Sequence, residues 1–491
     1  MDTLRTLFLN PPSFDGFDGG AGSRYQARRE VRSFWYPTWL AQPAALIPNS
    51  KLIDAPADGL NFDEVLQMAK GFDLCVLHTS TPSFANDAKV ASRLKEAYPR
   101  ITVGLVGAHV AVLPAQSLDA APAVDFVARE EFDYTLLEVA QGRPFPDVDG
   151  ISYREGRCVR HNRDRAKIDD LDGLPDVLDV YKRDLSVENY AIGYLKHPYL
   201  SLYTGRGCPA RCTFCLWPQT VSGRVYRVRS ARRVIEDMAK AKALFPGVRE
   251  FFFDDDTFTA DLPRAAEIAR GLGRLGIEWS CNSRANVPFD YLRLFKENGL
   301  RLLLVGYESG DQQILNNVKK GVRLDVAREF TRNCRSLGLT IHGTFILGLP
   351  GETEDTIRKT IRYACELDVD TIQVSLAAPY PGTELYSQAV HNGWFHDSGL
   401  VNPDGTQSCV LSYPGLSSAE ITRGLHRMYA RFYFRPKPIA RMLAAMAKDP
   451  RERRRRLKEG AEFLRFLWGK PAASGGGNGA PCPREPRKAS V

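Results

Sequence analysis

The chain has 491 residues, of which 44% are hydrophobic and 25% charged. These proportions are ordinary for a folded soluble protein and exclude a disordered or collagen-like chain. No run of 18 or more apolar residues is present, which argues against a membrane-spanning helix. The net charge of +8 is uneven, because the chain from Arg427 onward carries 17 Lys and Arg against 5 Asp and Glu. That part contributes +12 and leaves −4 for the rest, so the basic character belongs to the C-terminal tail.

The cysteine content excludes a disulfide scaffold, since ten cysteines are spread over a long chain. Seven of them are scattered and are expected to be small buried apolar residues rather than ligands. The first twelve residues contain one Arg and lead directly into a strand-like run, which does not fit a signal peptide. We therefore expect a cytoplasmic protein. The scattered cysteines are Cys75, Cys158, Cys281, Cys334, Cys365, Cys409 and Cys482.

Residues 1–150 predict a doubly wound α/β domain. Short apolar runs at 6–12, 74–78, 101–109 and 124–128 read as strands, and 86–97 reads as a helix. Short buried strands alternating with helices indicate a parallel sheet, with ligands at the carboxyl ends of its strands.

Two irregular segments flank these elements. Residues 13–50 are rich in Gly, Arg and aromatic side chains and predict a long ordered loop, either over a pocket or packed on the surface. Residues 151–195 predict a small β-ribbon around the Glu155-Gly156 turn, followed by a linker.

Residues 196–390 predict a barrel-like domain built from six strand–helix units. Chemistry in βα barrels gathers at the carboxyl ends of the strands, so the residues that follow each strand are the candidates for a site. The predicted strands lie at 200–204, 250–253, 278–282, 302–305, 340–347 and 371–376.

Three cysteines follow the first of these strands in a C-x3-C-x2-C run formed by Cys208, Cys212 and Cys215. Thiolates bind iron and zinc well, and both iron–sulfur clusters and structural zinc normally take four protein ligands. Three ligands leave one metal corner for another molecule. A zinc knuckle is less consistent with the run, because zinc motifs usually pair C-x2-C with a second pair. Gly205 and Gly207 should let the backbone bend around an inorganic core.

This run closely resembles the signature of the radical S-adenosylmethionine (SAM) superfamily. The resemblance implies a 4Fe–4S cluster held by Cys208, Cys212 and Cys215, with SAM chelating the fourth iron. It also implies reductive cleavage of SAM to a 5′-deoxyadenosyl radical, and an aromatic contact of Phe214 with adenine.

The resemblance extends to the other strand ends. Asp254 would lie near the SAM amino group, unless the Asp254–Asp256 run is a solvated turn. Arg284 suits the SAM carboxylate, and Glu308 stands in a G-x-E-S segment expected near the ribose or amine. The SAM-binding candidates are Asp254, Asn282, Arg284, Glu308, Ser309, Gly348 and Gly351.

The N-terminal domain resembles the cobalamin-binding domain of one radical SAM subgroup, through residues 10–12 and 107–114. Glu130 stands where the subgroup usually has glycine. The D-x-H-x-x-G motif, which supplies an axial histidine in other cobalamin proteins, is absent. His78 and His109 are either cobalamin contacts or ordinary core histidines. A domain that no longer binds any ligand stays open as an alternative.

Residues 391–470 predict a mostly helical extension, and 471–491 a disordered tail. Four consecutive arginines at 453–456 precede an aromatic and aliphatic run at 463–468. That combination fits a helix on a membrane surface, or a solvated helix packed on the barrel. Nucleic acid is not expected as a partner, because the run lacks the aromatic interleaving of stacking surfaces.

The whole chain most resembles radical SAM proteins associated with hopanoid biosynthesis, of the J type, through 13–50, 208–219 and 435–438. The resemblance implies contraction of a side-chain sugar of a hopanoid lipid to a cyclitol ether, a reductase such as flavodoxin or ferredoxin, and peripheral contact with the inner membrane. Two alternatives stay open. One is a cobalamin-dependent radical SAM methyltransferase, and the other is a non-catalytic iron–sulfur or zinc protein.

Overall fold

Two β-sheets organise the chain, and each is built mainly from parallel strands. The computed structural model describes residues 3–14, 33–395, 399–402, 406–448 and 450–468. Within these ranges the first sheet spans residues 6–161 and the second spans 199–376. The predicted α/β class is therefore confirmed.

The first sheet has seven strands in the order β2-β1-β3-β4-β5-β6-β7. The first five are parallel, and the last two pair antiparallel. Strands β1 and β3 are buried along their whole length, as expected for parallel strands covered on both faces. The strands are β1 (Thr6–Asn10), β2 (Ser50–Asp54), β3 (Leu74–His78), β4 (Thr102–Val106), β5 (Phe126–Ala128), β6 (Ile151–Glu155) and β7 (Cys158–His161).

Eight helices belong to this part of the described chain. They are α1 (Thr38–Leu46), α2 (Ala55–Asp58), α3 (Phe62–Met68), α4 (Phe84–Ala97), α5 (Ala108–Val112), α6 (Pro114–Ala120), α7 (Asp133–Ala140) and α8 (Leu178–Asp184).

Two regions differ from the sequence-based expectation. The segment 13–50 contains α1 and the start of β2, because apolar side chains at 38–47 bury a helix against the core. Residues 15–32 of the expected loop lie outside the described residues. The ribbon at 151–161 is not separate, since β6 pairs with β5 and extends the first sheet. Its pairing partner is remote in sequence, so the local pattern could not show it.

The second sheet has six parallel strands, in the order β15-β14-β13-β12-β11-β8. This is the predicted succession of six strand–helix units, each strand pairing with the next. A short antiparallel pair, β9 with β10, follows the first strand. The strands are β8 (Tyr199–Leu202), β9 (Gly205–Arg206), β10 (Arg227–Val228), β11 (Glu250–Phe253), β12 (Trp279–Ser283), β13 (Leu300–Glu308), β14 (Thr340–Leu347) and β15 (Thr371–Leu376).

Several helices of this domain begin at side-chain caps, which satisfy backbone N–H groups left over at a helix start. Asp261 accepts from the Arg264 N–H, and Thr353 and Ser417 form capping boxes. The helices are α9 (Leu216–Thr220), α10 (Ala231–Leu244), α11 (Leu262–Leu275), α12 (Phe289–Glu297), α13 (Gln312–Asn317), α14 (Leu324–Ser336), α15 (Glu354–Leu367) and α16 (Glu384–His391).

Tyrosine hydroxyls cover the edge strand β15. The Tyr429 hydroxyl accepts from the Val374 N–H at 2.9 Å, and the Tyr433 hydroxyl accepts from the Ile372 N–H at 2.9 Å. Both tyrosines lie on α17 (Ser418–Tyr433). An open sheet edge would offer unpaired backbone groups to other chains. Helix α17 thus closes this edge of the barrel.

The chain ends in α18 (Pro436–Lys448) and α19 (Pro450–Trp468). Phe463 of α19 packs on Tyr429 and Tyr433 of α17, with ring centroids 5.5 and 5.2 Å apart. Phe463 of α19 therefore faces the protein. No helix among the described residues is long and apolar enough to cross a bilayer. The predicted disordered tail at 471–491 lies outside the described residues.

Candidate active site at the barrel mouth

The cysteine loop lies at the carboxyl end of β8 and is held by the side chain of Gln219. Cys208 and Cys212 are buried, and Cys215 is half-buried. The Gln219 side-chain amide donates to the backbone carbonyls of Cys215 at 2.6 Å and Thr213 at 3.2 Å. Its carbonyl oxygen accepts from the Glu384 N–H at 3.0 Å. Gln219 thus fixes the loop and joins it to the start of α16.

The two glycines of the loop are required by the returning chain. Gly207 has a φ of +89°, and a Cβ there would lie 2.2 Å from the Val225 carbonyl oxygen. A Cβ on Gly205 would lie 2.5 Å from the Tyr226 ring. The glycine requirement that we attributed to an inorganic core comes instead from the protein segment that leads into β10.

The three cysteines do not converge as a single-ion site. Among the described residues no group of three or more His, Cys, Asp or Glu side chains is arranged to hold a metal ion. A zinc ion would draw its thiolates to about 2.3 Å from one centre. A cluster spreads its cysteines over separate irons, so three thiols on one loop need not converge on a single centre to hold it.

The acidic run after β11 divides into three environments. Asp255 is fully buried and accepts from the hydroxyls of Thr204 and Tyr226, each at 2.6 Å. Burial raises the pKa of Asp255 above its ordinary value. Asp254 is also buried, and Asp256 accepts from a serine hydroxyl. The run is therefore neither a solvated turn nor a shared metal site.

Asp254 and Asn282 lie side by side at neighbouring strand ends. The Asn282 amide donates to the Asp254 carboxylate at 3.0 Å and to the Asp255 carbonyl at 2.9 Å. Arg284 lies further along and donates to the carbonyls of Lys320 and Gly321, at 2.5 and 3.1 Å. The structure thus brings these polar groups to one edge of the barrel.

Glu308 forms a buried ion pair with Lys320, a residue that the sequence analysis missed. The Lys320 ammonium donates to the Glu308 carboxylate at 2.7 Å, and Glu308 has a φ of +62°. Burial lowers the pKa of Lys320, but Glu308 outweighs this, so the net shift is upward. Val318, two residues before Lys320, accepts from the N–H of Thr213 in the cysteine loop at 3.0 Å. The pair therefore lies close to the cysteine loop.

Ser309 lies outside this group. It is fully buried, and its hydroxyl lies 3.2 Å from the Thr360 hydroxyl on α15. The Thr360 hydroxyl also accepts from the Gly310 N–H. Ser309 thus joins the end of β13 to α15, whereas its neighbour Glu308 faces Lys320.

The loop after β14 is held by a buried carboxyl group. Gly348 and Gly351 have φ values of +86° and +88°. Glu352 accepts from the Gly348 N–H at 2.6 Å and the Leu349 N–H at 3.3 Å. Burial raises the pKa of Glu352 to about 8. Glu352 precedes α15 and stabilises its own loop, so it is not a charge at the helix start.

A small cleft, with about 50 Å³ of space for water-sized molecules, lies between the cysteine loop and the ends of β14 and β15. Phe214 and Cys215 line one side, and Ile346, Ser375 and Tyr380 line the other. This places Phe214 on a largely apolar wall beside Cys215. The predicted aromatic contact with an adenine ring is compatible with that wall.

The carboxyl edge of the first sheet carries a different set of groups. Asp54 accepts from the Asn10 amide at 2.7 Å and the Tyr190 hydroxyl at 2.8 Å. Burial raises the pKa of Asp54 to about 7 despite both hydrogen bonds. This edge therefore holds a neutral or weakly acidic network.

The two histidines of this edge are held as neutral rings. Burial lowers the pKa of His78 and of His109 to about 4. His109 packs on Phe84, with ring centroids 4.7 Å apart. His78 lies against Gly107, whose φ is +121° and whose missing Cβ would meet the Thr79 carbonyl at 2.2 Å.

Glu130, which replaces an expected glycine, still adopts a glycine-like conformation with a φ of +51°. Its side chain pairs with Lys167.

The acidic residues that follow Glu130 form ion pairs between the two domains. Arg206 donates to both carboxylate oxygens of Asp133, at 2.7 and 3.0 Å, and Arg227 pairs with Glu131. These buried pairs attach the cysteine loop to the N-terminal domain. The acidic residues at 131 and 133 were visible in the sequence, but their remote partners were not.

Two tryptophans stack where the domains meet. Trp39 of α1 and Trp217 of α9 lie 5.0 Å apart with an interplanar angle of 3°. The Arg206 guanidinium lies over Trp39 at 5.3 Å. Both indole N–H groups are buried, and neither has a hydrogen-bond partner within the described chain. Burying a donor without an acceptor is costly, and both nitrogens are enclosed by the protein itself, with less than 1 Å² of exposed surface each.

The barrel, the cysteine run and the strand-end groups define a radical SAM enzyme. The family model described as the radical SAM superfamily matches residues 202–364. An uncharacterised methyltransferase of Pyrococcus horikoshii is 30% identical over 462 residues, covering 89% of this chain and 94% of that protein. The chain belongs to the radical SAM superfamily.

A second relative and one solved structure extend these comparisons. The hopanoid C-3 methylase of Methylococcus capsulatus is 32% identical over 224 residues, covering 44% of this chain and 42% of that protein. The solved structure of the cobalamin-dependent radical enzyme OxsB, with aqua-cobalamin and SAM bound, is 15% identical, with a TM-score of 0.68. It covers 95% of this chain and 72% of that chain, which shows the shared fold.

The cofactors of this chain are a 4Fe–4S cluster and SAM, as its family membership implies. The donor set agrees, because three thiols on one loop would leave one iron for SAM. When bound, the two together supply an organic radical that removes a hydrogen atom from the substrate. The protein contributes the loop geometry, the charged groups around Glu308 and Lys320, and the covered wall at Phe214.

Proposed function

We propose that this protein is a cobalamin-dependent radical SAM methyltransferase that acts on a hopanoid lipid. The observation that carries methyl transfer is the full-length similarity to a methyltransferase, which includes the N-terminal domain as well as the barrel. The hopanoid class is supported by the similarity of part of the chain to a hopanoid methylase and by the resemblance of the 208–219 run.

In this proposal Cys208, Cys212 and Cys215 hold the cluster. Glu308 and Arg284 bind the charged amino-acid end of SAM, with Asp254 oriented by Asn282 as a further acceptor. Phe214, Gly348 and Gly351 line the adenine side. The positions of these residues at adjoining strand ends support these roles. Ser309 would have a positioning role, because its hydroxyl contacts Thr360 instead of the other candidates. The set is Cys208, Cys212, Cys215, Phe214, Asp254, Asn282, Arg284, Glu308, Ser309, Gly348 and Gly351.

Cobalamin would lie between the first sheet and the barrel mouth. The stacked rings of Trp39 and Trp217, where the two domains meet, would form part of the wall against which it lies. The low pKa values of His78 and His109 keep both rings neutral. His78 is enclosed against Gly107, so the proposal assigns it no role as a cobalt ligand.

A second candidate keeps the same radical and the same lipid but contracts a side-chain sugar to a cyclitol ether. It is supported by the resemblance of the chain to J-type hopanoid proteins. A radical suits both candidates, because each must break a C–H bond at an unactivated carbon, which is beyond the reach of acid–base groups.

The nucleoside products distinguish the candidates. The anaerobic protein, reconstituted with iron, sulfide and cobalamin, would be given SAM, reductant and bacteriohopanepolyols. Methyl transfer predicts S-adenosylhomocysteine and a lipid heavier by one CH₂ group. Ring contraction predicts 5′-deoxyadenosine without S-adenosylhomocysteine. A protein that cleaves no SAM under these conditions contradicts both.

Two partners complete the proposal. Reduction of the cluster requires an electron donor such as flavodoxin or ferredoxin. A lipid substrate also implies work at the cytoplasmic side of the inner membrane, with the C-terminal extension as the contact. Comparison of soluble and membrane fractions of the native cell would test this location.

A further inference from the structure

Helix α18 presents an apolar stripe to solvent. Ile439, Met442 and Leu443 are 37%, 43% and 57% exposed, and Phe434 just before the helix is 55% exposed. Positions 439, 442 and 443 share one helix face, together with half-buried Met446. In a globular protein such a stripe normally faces the core.

The orientation of α18 is fixed by polar contacts on its other side. The Arg441 guanidinium donates to the Asp368 carboxylate at 3.0 Å and to the Val369 carbonyl at 3.1 Å. Arg435 donates to the Cys365 carbonyl at 2.7 Å, and Pro438 is buried. These contacts hold the basic side of the helix against the barrel and leave the apolar stripe outside.

The charge around the stripe is positive. Helix α18 contains Lys437, Arg441 and Lys448 and no acidic residue. Helix α19, which packs on α18, begins with a run in which six of eight residues from 451 to 458 are basic, five being arginines and one a lysine, against one glutamate. An exposed apolar stripe on a pair of helices with net positive charge is complementary to a bilayer that contains anionic lipid.

We infer that α18 docks the protein on an anionic lipid surface through Phe434, Ile439, Met442 and Leu443. This assignment differs from the sequence-based expectation, which placed the contact on the aromatic run of α19. That run contributes Phe463 and Leu467 to the protein core instead. The stripe on α18 has no such cover among the described residues.

The docking surface lies away from the cysteine loop. Tyr433, next to α18, bonds with Ile372 at the start of β15, and Asp368 precedes the same strand. The cysteine loop follows the opposite end of the parallel strands. Docking through α18 would therefore leave the barrel mouth open. The inference fits the proposed lipid substrate but does not rest on it, because vesicle binding requires no turnover.

The test is sedimentation of the full chain with vesicles of phosphatidylcholine alone, or with about a third phosphatidylglycerol. We expect binding to the anionic vesicles only, weakened by salt. The variant Met442→Glu/Leu443→Glu should lower that binding at least tenfold. The matched control is Val390→Glu, since Val390 is another exposed apolar side chain, 46% exposed on α16. It should bind like the unaltered chain. Circular dichroism confirms that each variant is folded.

Three outcomes overturn the inference. The first is equal binding of the double variant and the unaltered chain. The second is failure of the unaltered chain to prefer anionic vesicles. The third is a stable dimer in solution that the double variant converts to monomer, because a second copy would then occupy the stripe. SAM cleavage measured without vesicles tests the proposed function separately from all three.

Discussion

The side chains at the carboxyl edges of the two sheets differ in their charge. At the barrel mouth Glu308 and Lys320 are both charged, buried and paired at 2.7 Å, with Arg284 close by. At the edge of the first sheet the corresponding groups are the neutral rings His78 and His109. Asp54 at that edge titrates only near pH 7, because burial raises its pKa.

This difference matches the ligands that each edge would take. SAM carries an ammonium, a carboxylate and a sulfonium, so a site for it needs charged partners held in place. Cobalamin presents mostly neutral amides, so a site for it does not need buried charged partners. Both edges are formed by the carboxyl ends of parallel strands, but the side chains at the barrel mouth are charged and those at the first sheet are largely neutral.

The largest effect is expected from Glu308→Gln, which removes the buried ion pair that distinguishes the barrel mouth. It leaves the Lys320 ammonium buried without its carboxylate, which should lower the free energy of unfolding by about 3–5 kcal/mol. Chemical denaturation measures this loss. The double variant Glu308→Gln/Lys320→Met should recover much of the stability but not SAM binding. If the single variant were as stable as the unaltered chain, the mouth would not depend on this pair.

Gln219→Ala should have the next largest effect. Its side chain accepts one N–H and donates to carbonyls of the cysteine loop, so its loss leaves buried polar groups unpaired at a cost of about 1–3 kcal/mol. The iron content of the Gln219→Ala variant after reconstitution should also be lower than that of the unaltered chain. Gln313→Ala, at an exposed hydrogen bond on α13, is the control and should retain iron. Full iron loading of Gln219→Ala would show that the loop holds its shape without the clamp.

At the first sheet Asp54 makes stability depend on pH. The unfolded carboxyl group loses its proton near pH 3.8 and the folded one near pH 7. The folded state therefore binds the extra proton between these values, and the free energy of unfolding falls as pH rises through this window. The slope contributed is at most about 1.4 kcal/mol per pH unit. Denaturation from pH 4 to 7 should show that Asp54→Asn removes this part of the slope. An unchanged slope would place the titration elsewhere.

The smallest effect is expected at the far edge of the barrel. Tyr429→Phe removes the hydroxyl that accepts from the Val374 N–H and donates to the Val374 carbonyl, and the loss of these two neutral hydrogen bonds should cost about 1–2 kcal/mol. The cysteine loop is remote from it, so SAM cleavage should be unchanged. A loss of cleavage without a loss of stability would mean that α17 does more than cover the edge.

The barrel was readable from the sequence because its strands are buried apolar runs followed by helices, and each strand pairs with its neighbour in the chain. The cysteine spacing was readable because three ligands on one loop are local. Lys320 and the Arg206–Asp133 pair were missed, since their partners are set by the tertiary fold. Helix α1 was missed because its residues are apolar on all sides, which hides helical periodicity.

The most direct test of the account is SAM cleavage by Cys212→Ala. The anaerobic, reconstituted chain with reductant and SAM should form 5′-deoxyadenosine, and this variant should form none above the background without protein. Cys365→Ala removes a half-buried thiol that contacts the Arg431 carbonyl, and it should cleave SAM like the unaltered chain. Formation of 5′-deoxyadenosine by Cys212→Ala at the unaltered rate would contradict the assignment of the cysteine loop as the cluster site.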